Sequence, residues 1–424
     1  MIIHQPVIKE NANEISIAAE IEIQNQDRPY PRELWFKFPL GYKDYLTDRT
    51  DGFAASLLPL AMQLGENLEI RGELSYRLAY GLREYQRIQT AWKPKFFTPI
   101  DIHCERLRSP AAGEARGAVG TAFSGGVDSF HTLWSHLPQN EPLANYRISH
   151  GLIINGFDMD MDLDQTGSFY LLQQVYQSIL QKYGIALLVA RTNIMQFIDL
   201  VLLKQCYAAV VTSSALILGR LFSCFYLPSS DKFTEVQLIH EGSQIMLDHL
   251  ISTETMATIL DSSHLTRVDK TAVIAQWPDT YHALRVCFNK TIVQEETGTI
   301  QNCCQCEKCI RTMTTLKLFE KLHCYTVFPK PLKRRHIRRL KYISSSMLTF
   351  PRAIFRQAVR SNKMLIAFDI AYAIWINIIL WKPLHDFFVF CAYLEKRSKL
   401  FAKAAKPVKN FIKQFQWGKG WLYS

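Results

Sequence analysis

Apolar and polar residues alternate from Ile15 to Ile23, so that Ile15, Ile17, Ala19, Ile21 and Ile23 share one side of an extended chain. A period of two predicts a strand with one buried face. GFAASLLPLAMQLGE then reads as an apolar helix, LEIRG as a short strand, ELSYRLAYGLREYQRIQTAW as a helix and TPIDIHCERL as a strand. This order predicts a small N-terminal α/β domain over residues 1–115, of unassigned role. The Gly-, Pro- and Ala-rich segment RSPAAGEARGA marks its boundary.

From Val119 the pattern becomes strand, loop, helix and strand again. AVGTAF, YRISHGLIING, IALLVARTN and SCFYLP read as buried strands, separated by the helical stretches FHTLWSHL, SFYLLQQVYQSILQKYG and CYAAVVTSSALILGRLF. Parallel strands need crossovers, so this alternation predicts an α/β fold with a parallel, doubly wound sheet over residues 116–325. Ligands of such sheets collect at the carboxyl ends of the strands. The candidate chemistry lies in those loops.

Composition changes the picture in two places. A chain of 424 residues, 48% hydrophobic and 21% charged, is not disordered and can bury a sizeable core. Its opening, MIIHQPVIKENANEI, has no basic segment leading into an apolar run, so a cytoplasmic location is expected. Ten cysteines are then too sparse for a disulfide scaffold, and any cluster of them points to metal or redox chemistry. The net charge of +11 is unevenly spread. After position 329, twenty Lys and Arg face three acids, so that quarter carries +17 and the preceding chain −6.

The first loop carries Ser124-Gly125-Gly126-Val127-Asp128-Ser129 between a strand and a helix. Two glycines permit a tight turn and close approach of a ligand to the amides. The helix start offers unpaired N–H groups and a positive dipole end, a seat for phosphate. A Walker A loop and a dinucleotide G-x-G-x-x-G are both excluded by the residues present. The motif resembles the SGGxDS signature of the PP-loop ATP pyrophosphatases, the adenine-nucleotide α-hydrolase-like superfamily. That resemblance implies ATP cleavage between the α and β phosphates. It assigns pyrophosphate binding to Ser124, Gly125, Gly126, Val127, Asp128 and Ser129, and to Asp128 a share in holding Mg²⁺.

A second constellation is Cys303, Cys306 and Cys309, spaced C-x2-C-x2-C, with Cys287 sixteen residues before the first of them. Four such thiolates suit a structural zinc, and an iron–sulfur cluster is the chemical alternative. Cys304 reads as a bystander. A PP-loop followed by this cysteine pattern resembles the 7-cyano-7-deazaguanine synthase (QueC) family over about half the chain, roughly Gly117 to Phe319. The resemblance implies an ATP-dependent ligase that adenylates a carboxylate for amide or nitrile formation. The long gap after Cys287, the N-terminal domain and the basic tail depart from that family, which leaves the acceptor open. A thiolating enzyme acting on tRNA or a nucleobase is the second reading, and a non-catalytic nucleotide-binding module the third.

Other residues follow from position. Arg267 and Lys270 would share one face of a helix and could neutralise departing pyrophosphate. Asn155, Gly156 and Asp158 follow the second strand of the sheet, and Arg191, Thr192 and Asn193 end the third, so Asn155 and Thr192 are candidates for the nucleotide. The alternating Asp158, Asp160, Asp162 and Asp164 read as a solvated acidic loop rather than a calcium site. Glu241, Gly242, Asp248 and His249 are weaker candidates for substrate contacts. Residues 326–424 form a basic, helical C-terminal region. It contains LKRRHIRRLK, then MLIAFDIAYAIWINIILW, which approaches spanning length but is interrupted by Asp369 and Asn377, and finally KLFAKAAKPVKNFIKQFQWGKGW. A buried helix is the simplest reading of the apolar stretch, with Pro383 as a turn. Lysines alternating with aromatic residues suit an RNA backbone or an anionic membrane surface. Oligomeric state is left open.

Overall fold

The alternation at Ile15–Ile23 becomes a strand whose isoleucines are all buried, in a computed structural model that describes residues 1–109, 113–157, 167–234, 244–287, 293–294, 299–341, 348–381 and 383. In chain order the first elements are β1 (Ile2–Ile3), β2 (Val7–Glu10), β3 (Glu14–Glu22), β4 (Glu33–Pro39), α1 (Asp51–Leu64), β5 (Leu68–Ser75), α2 (Tyr76–Trp92) and β6 (Ile102–Arg108). There follow β7 (Ala118–Ala122), α3 (Val127–Ser135), β8 (His150–Asn155), α4 (Ser168–Gln181), β9 (Ala186–Thr192), α5 (Leu200–Ile217), β10 (Phe222–Pro228), β11 (Ala257–Asp261) and α6 (Arg267–Ile274). The last helices are α7 (Glu307–Leu318), α8 (Arg334–Arg338), α9 (Thr349–Arg360) and α10 (Met364–Ile376).

The chain is an α/β protein built on one eleven-stranded sheet of order β11-β10-β7-β8-β9-β4-β3-β1-β5-β6, with β2 paired to β3. The strands from β11 to β9 are all parallel, as are β1, β5 and β6 at the other end. The strands that residues 116–325 give to this sheet are parallel, as expected; the sheet as a whole is mixed because strands from the first 115 residues join it. Antiparallel pairs enter through β1–β3, β2–β3, β3–β4 and β4–β9. The seam is β4 against β9, with Phe36 opposite Thr192 and Lys37 opposite Arg191. Strand β4 has the same period-two pattern as β3. Leu34, Phe36 and Phe38 are buried, while Trp35 and Lys37 on the other face remain half-buried.

The order of strands explains where a ligand would gather. From β7 the chain steps to β8 and β9 in one direction, then returns through α5 to β10 and β11 on the far side of β7. With right-handed crossovers, α3 and α4 lie on one face and α5 on the other. The reversal between β7 and β10 is a topological switch point, where the loops at the strand ends diverge. Helix α3 packs on α6, and α5 on α1. Gly52 makes the second contact possible, because a Cβ there would lie 2.6 Å from the Ser213 carbonyl oxygen. Helix α5 is long and apolar enough to cross a membrane, but most of it is buried in this core.

Two compact units can be distinguished. One comprises Met1–Cys303 with Cys324–Pro329 and holds the sheet; the other comprises Cys304–His323 with Lys330–Ser424 and is helical over its described residues. In the second unit α10 packs on α9 and α8. Asp369 of α10, 1% exposed, is gripped by Arg334 through both carboxylate oxygens (2.7 and 3.0 Å) and by Arg338 Nε at 2.5 Å. A carboxylate inside an apolar helix is thus held by two guanidinium groups from α8, as burial of a charge requires.

Candidate functional site

Strand β7 ends at Ala122, and Ser124-Gly125-Gly126 turns the chain into α3 at Val127. Gly126 is the N-cap, with φ −83°, and brings no side chain to the first amides of the helix. Gly125 has φ +73°, a left-handed conformation that favours glycine. It also lies against Tyr176 of α4, which is fully buried and packed edge-on to Phe123 and Phe130. The Tyr176 hydroxyl donates to the Ser124 carbonyl at 3.5 Å. On another side, the Arg285 amide donates to the Gly125 carbonyl at 2.7 Å. Ser129 Oγ donates to the Gly126 carbonyl at 3.1 Å and lies 3.5 Å from Ser124 Oγ. The turn is therefore held from several elements, with its amides at the positive end of α3.

Charge converges on the same turn. Asp128, in the first turn of α3, accepts from Arg267 Nε at 3.2 Å and from Nη2 at 2.5 Å. Arg267 opens α6, whose start is fixed by a reciprocal capping box between Thr266 and Asp269. One turn further, Lys270 is 1% exposed and donates through Nζ to the Ser229 carbonyl at 2.5 Å, just past the end of β10. Burial lowers the Lys270 pKa against the opposing pull of Asp128. His131, buried on α3, is pushed down to about 4 by burial and by the Lys270 charge, so it is neutral at pH 7. The expected face with Arg267 and Lys270 on one helix is present.

Asp261, the last residue of β11, accepts from Thr132 Oγ1 at 2.7 Å, His136 Nε2 at 3.1 Å and Ser262 Oγ at 2.8 Å. Burial would raise its pKa, yet these hydrogen bonds hold it below the usual carboxylate range. A carboxylate whose folded pKa is depressed adds stability above its unfolded value of about 3.9 and loses it as pH falls through the folded one. Asp261→Asn is therefore expected to lower the melting temperature at pH 7 and to flatten its fall between pH 5 and pH 2. Thermal melts across that range check it; parallel curves for the two proteins would refute the linkage.

Among the described residues the other candidates divide. Asn155, at the end of β8, is 1% exposed, and neither its amide nitrogen nor its carbonyl oxygen has a hydrogen-bond partner. Such a group in a folded core needs an explanation. Thr192 is fully buried, and its Oγ1 accepts from the Ile194 amide at 3.2 Å. Its neighbours serve the sheet seam. Arg191 pairs with Glu14, and Asn193 accepts from the Trp35 amide (2.9 Å) and donates to the Glu33 carbonyl (2.8 Å). Asp248 is buried and accepts from the Gln244 amide at 3.0 Å, while His249 is exposed. Asp158, Asp160, Asp162, Asp164, Glu241 and Gly242 lie outside the described residues.

The cysteines form the second feature. Sγ atoms of Cys287, Cys303, Cys306 and Cys309 all lie within 4.8 Å of one another. Four thiolates bound at about 2.3 Å around a tetrahedral ion would be roughly 3.8 Å apart, so this cluster has the dimensions to hold one metal ion such as zinc. The supports are local. Asn302, 2% exposed, accepts from the Val286 and Cys287 amides at 2.9 and 3.0 Å and donates to the Leu284 carbonyl at 2.9 Å. The Cys303 amide points at Cys287 Sγ at 3.4 Å. Cys306 caps α7, and Cys309 sits in its first turn, with sulfurs 3.4 Å apart. Cys304 takes a left-handed φ of +59° and stays out of the cluster, as expected of a bystander.

The chain matches no family model, no curated protein and no solved structure. Its chemistry has to be read from its own residues. Sequence reasoning singles out Ser124–Ser129, Arg267, Lys270 and the four cysteines, but passes over Tyr176, Arg285, Asp261, His131 and Asn302. Asp261 had a signal, because ATILD is a short apolar run ending in a carboxylate, and a strand there puts Asp261 at the ligand edge. Tyr176 and Arg285 had none, since only the folded chain brings them to the glycine turn.

Proposed function

We propose that this protein is an ATP-dependent adenylating enzyme that releases AMP and pyrophosphate while activating an acceptor carboxylate for attack by a nitrogen nucleophile. The observation that carries the reading is the meeting of the SGGVDS turn with Arg267 and Lys270 at the switch point of the sheet. Amides of the turn and the start of α3 would accept the pyrophosphate oxygens. Arg267 would exchange its Asp128 partner for phosphate, which frees the Asp128 carboxylate to share a Mg²⁺ ion. That ion would supply charge neutralisation between phosphates. The Lys270 ammonium would add positive field as charge builds on the leaving pyrophosphate. Asn155, with both amide atoms unsatisfied at the end of β8, has the donor and acceptor that a nucleoside needs. In this reading the four-cysteine ion is structural, and its compact spacing favours a single zinc over an iron–sulfur cluster.

The test is product analysis with purified, metal-replete protein, ATP, Mg²⁺, ammonia and a panel of small carboxylates. AMP and pyrophosphate are expected in a one-to-one ratio, and only when an acceptor carboxylate is present. Asp128→Ala and Arg267→Ala are each expected to lower that rate by about a hundredfold or more with little change in melting temperature, because both side chains are partly exposed. Release of ADP and phosphate instead, or equal rates in the variants, would reject the proposal.

A further inference from the structure

Helix α10 is apolar on all sides, and it continues through a π turn at Asn377–Trp381. A helix of that kind belongs in a core or at a membrane. Among the described residues only one side of it is covered. Ile366, Asp369, Ile370, Ala373 and Asn377 face the packed side, the last with its amide donating to the Leu340 carbonyl at 2.7 Å. The other side exposes Leu365, Phe368, Tyr372, Trp375, Ile378 and Ile379, at 42–67% of their surface. The helix itself places no charged residue in that stripe: its one carboxylate, Asp369, is turned inward to Arg334 and Arg338, and the Arg338 guanidinium lies over the Phe368 and Tyr372 rings at 5.6 and 5.8 Å.

We propose that this stripe lies in the interface of an anionic lipid bilayer, with the helix parallel to the membrane plane. Three features favour that occupant. Leu, Phe, Tyr and Trp along one face are the residues that settle at the boundary between headgroups and acyl chains. The same unit carries exposed cations: Arg352, Arg356 and Arg360 recur at one-turn spacing on α9, Arg335 lies in α8 and Arg339 at its C-cap, while Arg338 lies over two rings of the stripe. Such cations complement acidic headgroups, whereas pairing of this basic unit with a second copy would bring like charges together. The side chains of the stripe itself carry no charge to pair with nucleic acid phosphates. The anchor is in-plane rather than spanning, because crossing would tear Asp369 from its two arginines. The sequence beyond the helix repeats the pattern in KLFAKAAKPVKNFIKQFQWGKGW.

The experiment uses the full chain and vesicles of phosphatidylcholine, alone or mixed with phosphatidylglycerol, in a flotation assay. The wild-type protein is expected to float with the mixed vesicles and to stay in solution with the neutral ones, the binding weakening as salt is raised. Phe368→Ser/Trp375→Ser, which alters only exposed side chains, is expected to lose about tenfold or more of the partitioning while keeping the wild-type melting temperature. Trp375→Phe supplies a second readout that does not depend on the double variant folding. Fluorescence quenching by lipids brominated in the acyl chain should be smaller in Trp375→Phe than in wild type. No flotation, undiminished flotation of the double variant, or equal quenching in the two proteins would overturn the proposal. So would resistance of wild type to carbonate extraction, which marks a span. Loss in the double variant of a solution dimer, or of RNA binding, without any vesicle binding would reassign the face to those partners.

Discussion

Gly125→Ala is expected to destabilise the protein by about 2–4 kcal/mol, while Gly126→Ala beside it costs less than about 1 kcal/mol. Two causes add at position 125. The left-handed φ of +73° penalises any side chain, and the new Cβ would lie 1.7 Å from Tyr176 Oη and 2.2 Å from Cζ. That ring is fully buried between Phe123 and Phe130, so it cannot swing aside without disturbing the packing under the turn. Shortening it to phenylalanine gives little relief, because the Cζ contact remains. At Gly126 the nearest atoms to a Cβ are Ser124 Oγ at 3.4 Å and the Arg285 carbonyl oxygen at 3.6 Å, and φ is ordinary. Thermal and denaturant melts of the two variants check the contrast. Equal melting points would mean that the turn relaxes freely and that its shape is not imposed by Tyr176.

Loss of the metal should be costlier still. Purified protein is expected to carry one zinc per chain, and a strong chelator, or Cys309→Ser, to remove at least about 3 kcal/mol of stability, a fraction of the ~10–16 kcal/mol with which zinc-finger peptides hold their ion. Cys309 is fully buried in the first turn of α7, so the freed thiols would face one another with nothing to bind. Cys304→Ser is the control, because that residue stands outside the cluster although it is equally buried. Metal analysis by mass spectrometry and melts with and without chelator read the outcome. Metal-free wild type that melts with Cys309→Ser would remove the site; bound iron with visible absorption would reassign it.

What is legible in the sequence is what is local. SGGVDS and C-x2-C-x2-C each compress their chemistry into a few residues, and the strand and helix pattern around them announces an α/β sheet. The Asp128–Arg267 pair is legible only as two charges of unknown relation, because α3 and α6 meet through the strand order rather than through the sequence. Arg191, Thr192 and Asn193 show the converse. A polar exit from a parallel strand has the same composition whether it meets a ligand or another strand. Here β4 arrives, and Asn193 bonds its backbone instead. The alternation of ELWFKFP is visible in the letters, but the edge it joins is a property of topology.

The pairing of β4 with β9 also bears on biosynthesis. A chain emerging from the ribosome displays β4 long before β9 has been translated, so the hydrogen-bonding edge later covered by Thr192 waits without its partner. Closure across so many intervening residues is slow. During that interval the newborn polypeptide depends on holding chaperones more than a chain folding segment by segment would, and truncation ahead of β9 leaves a product prone to aggregate.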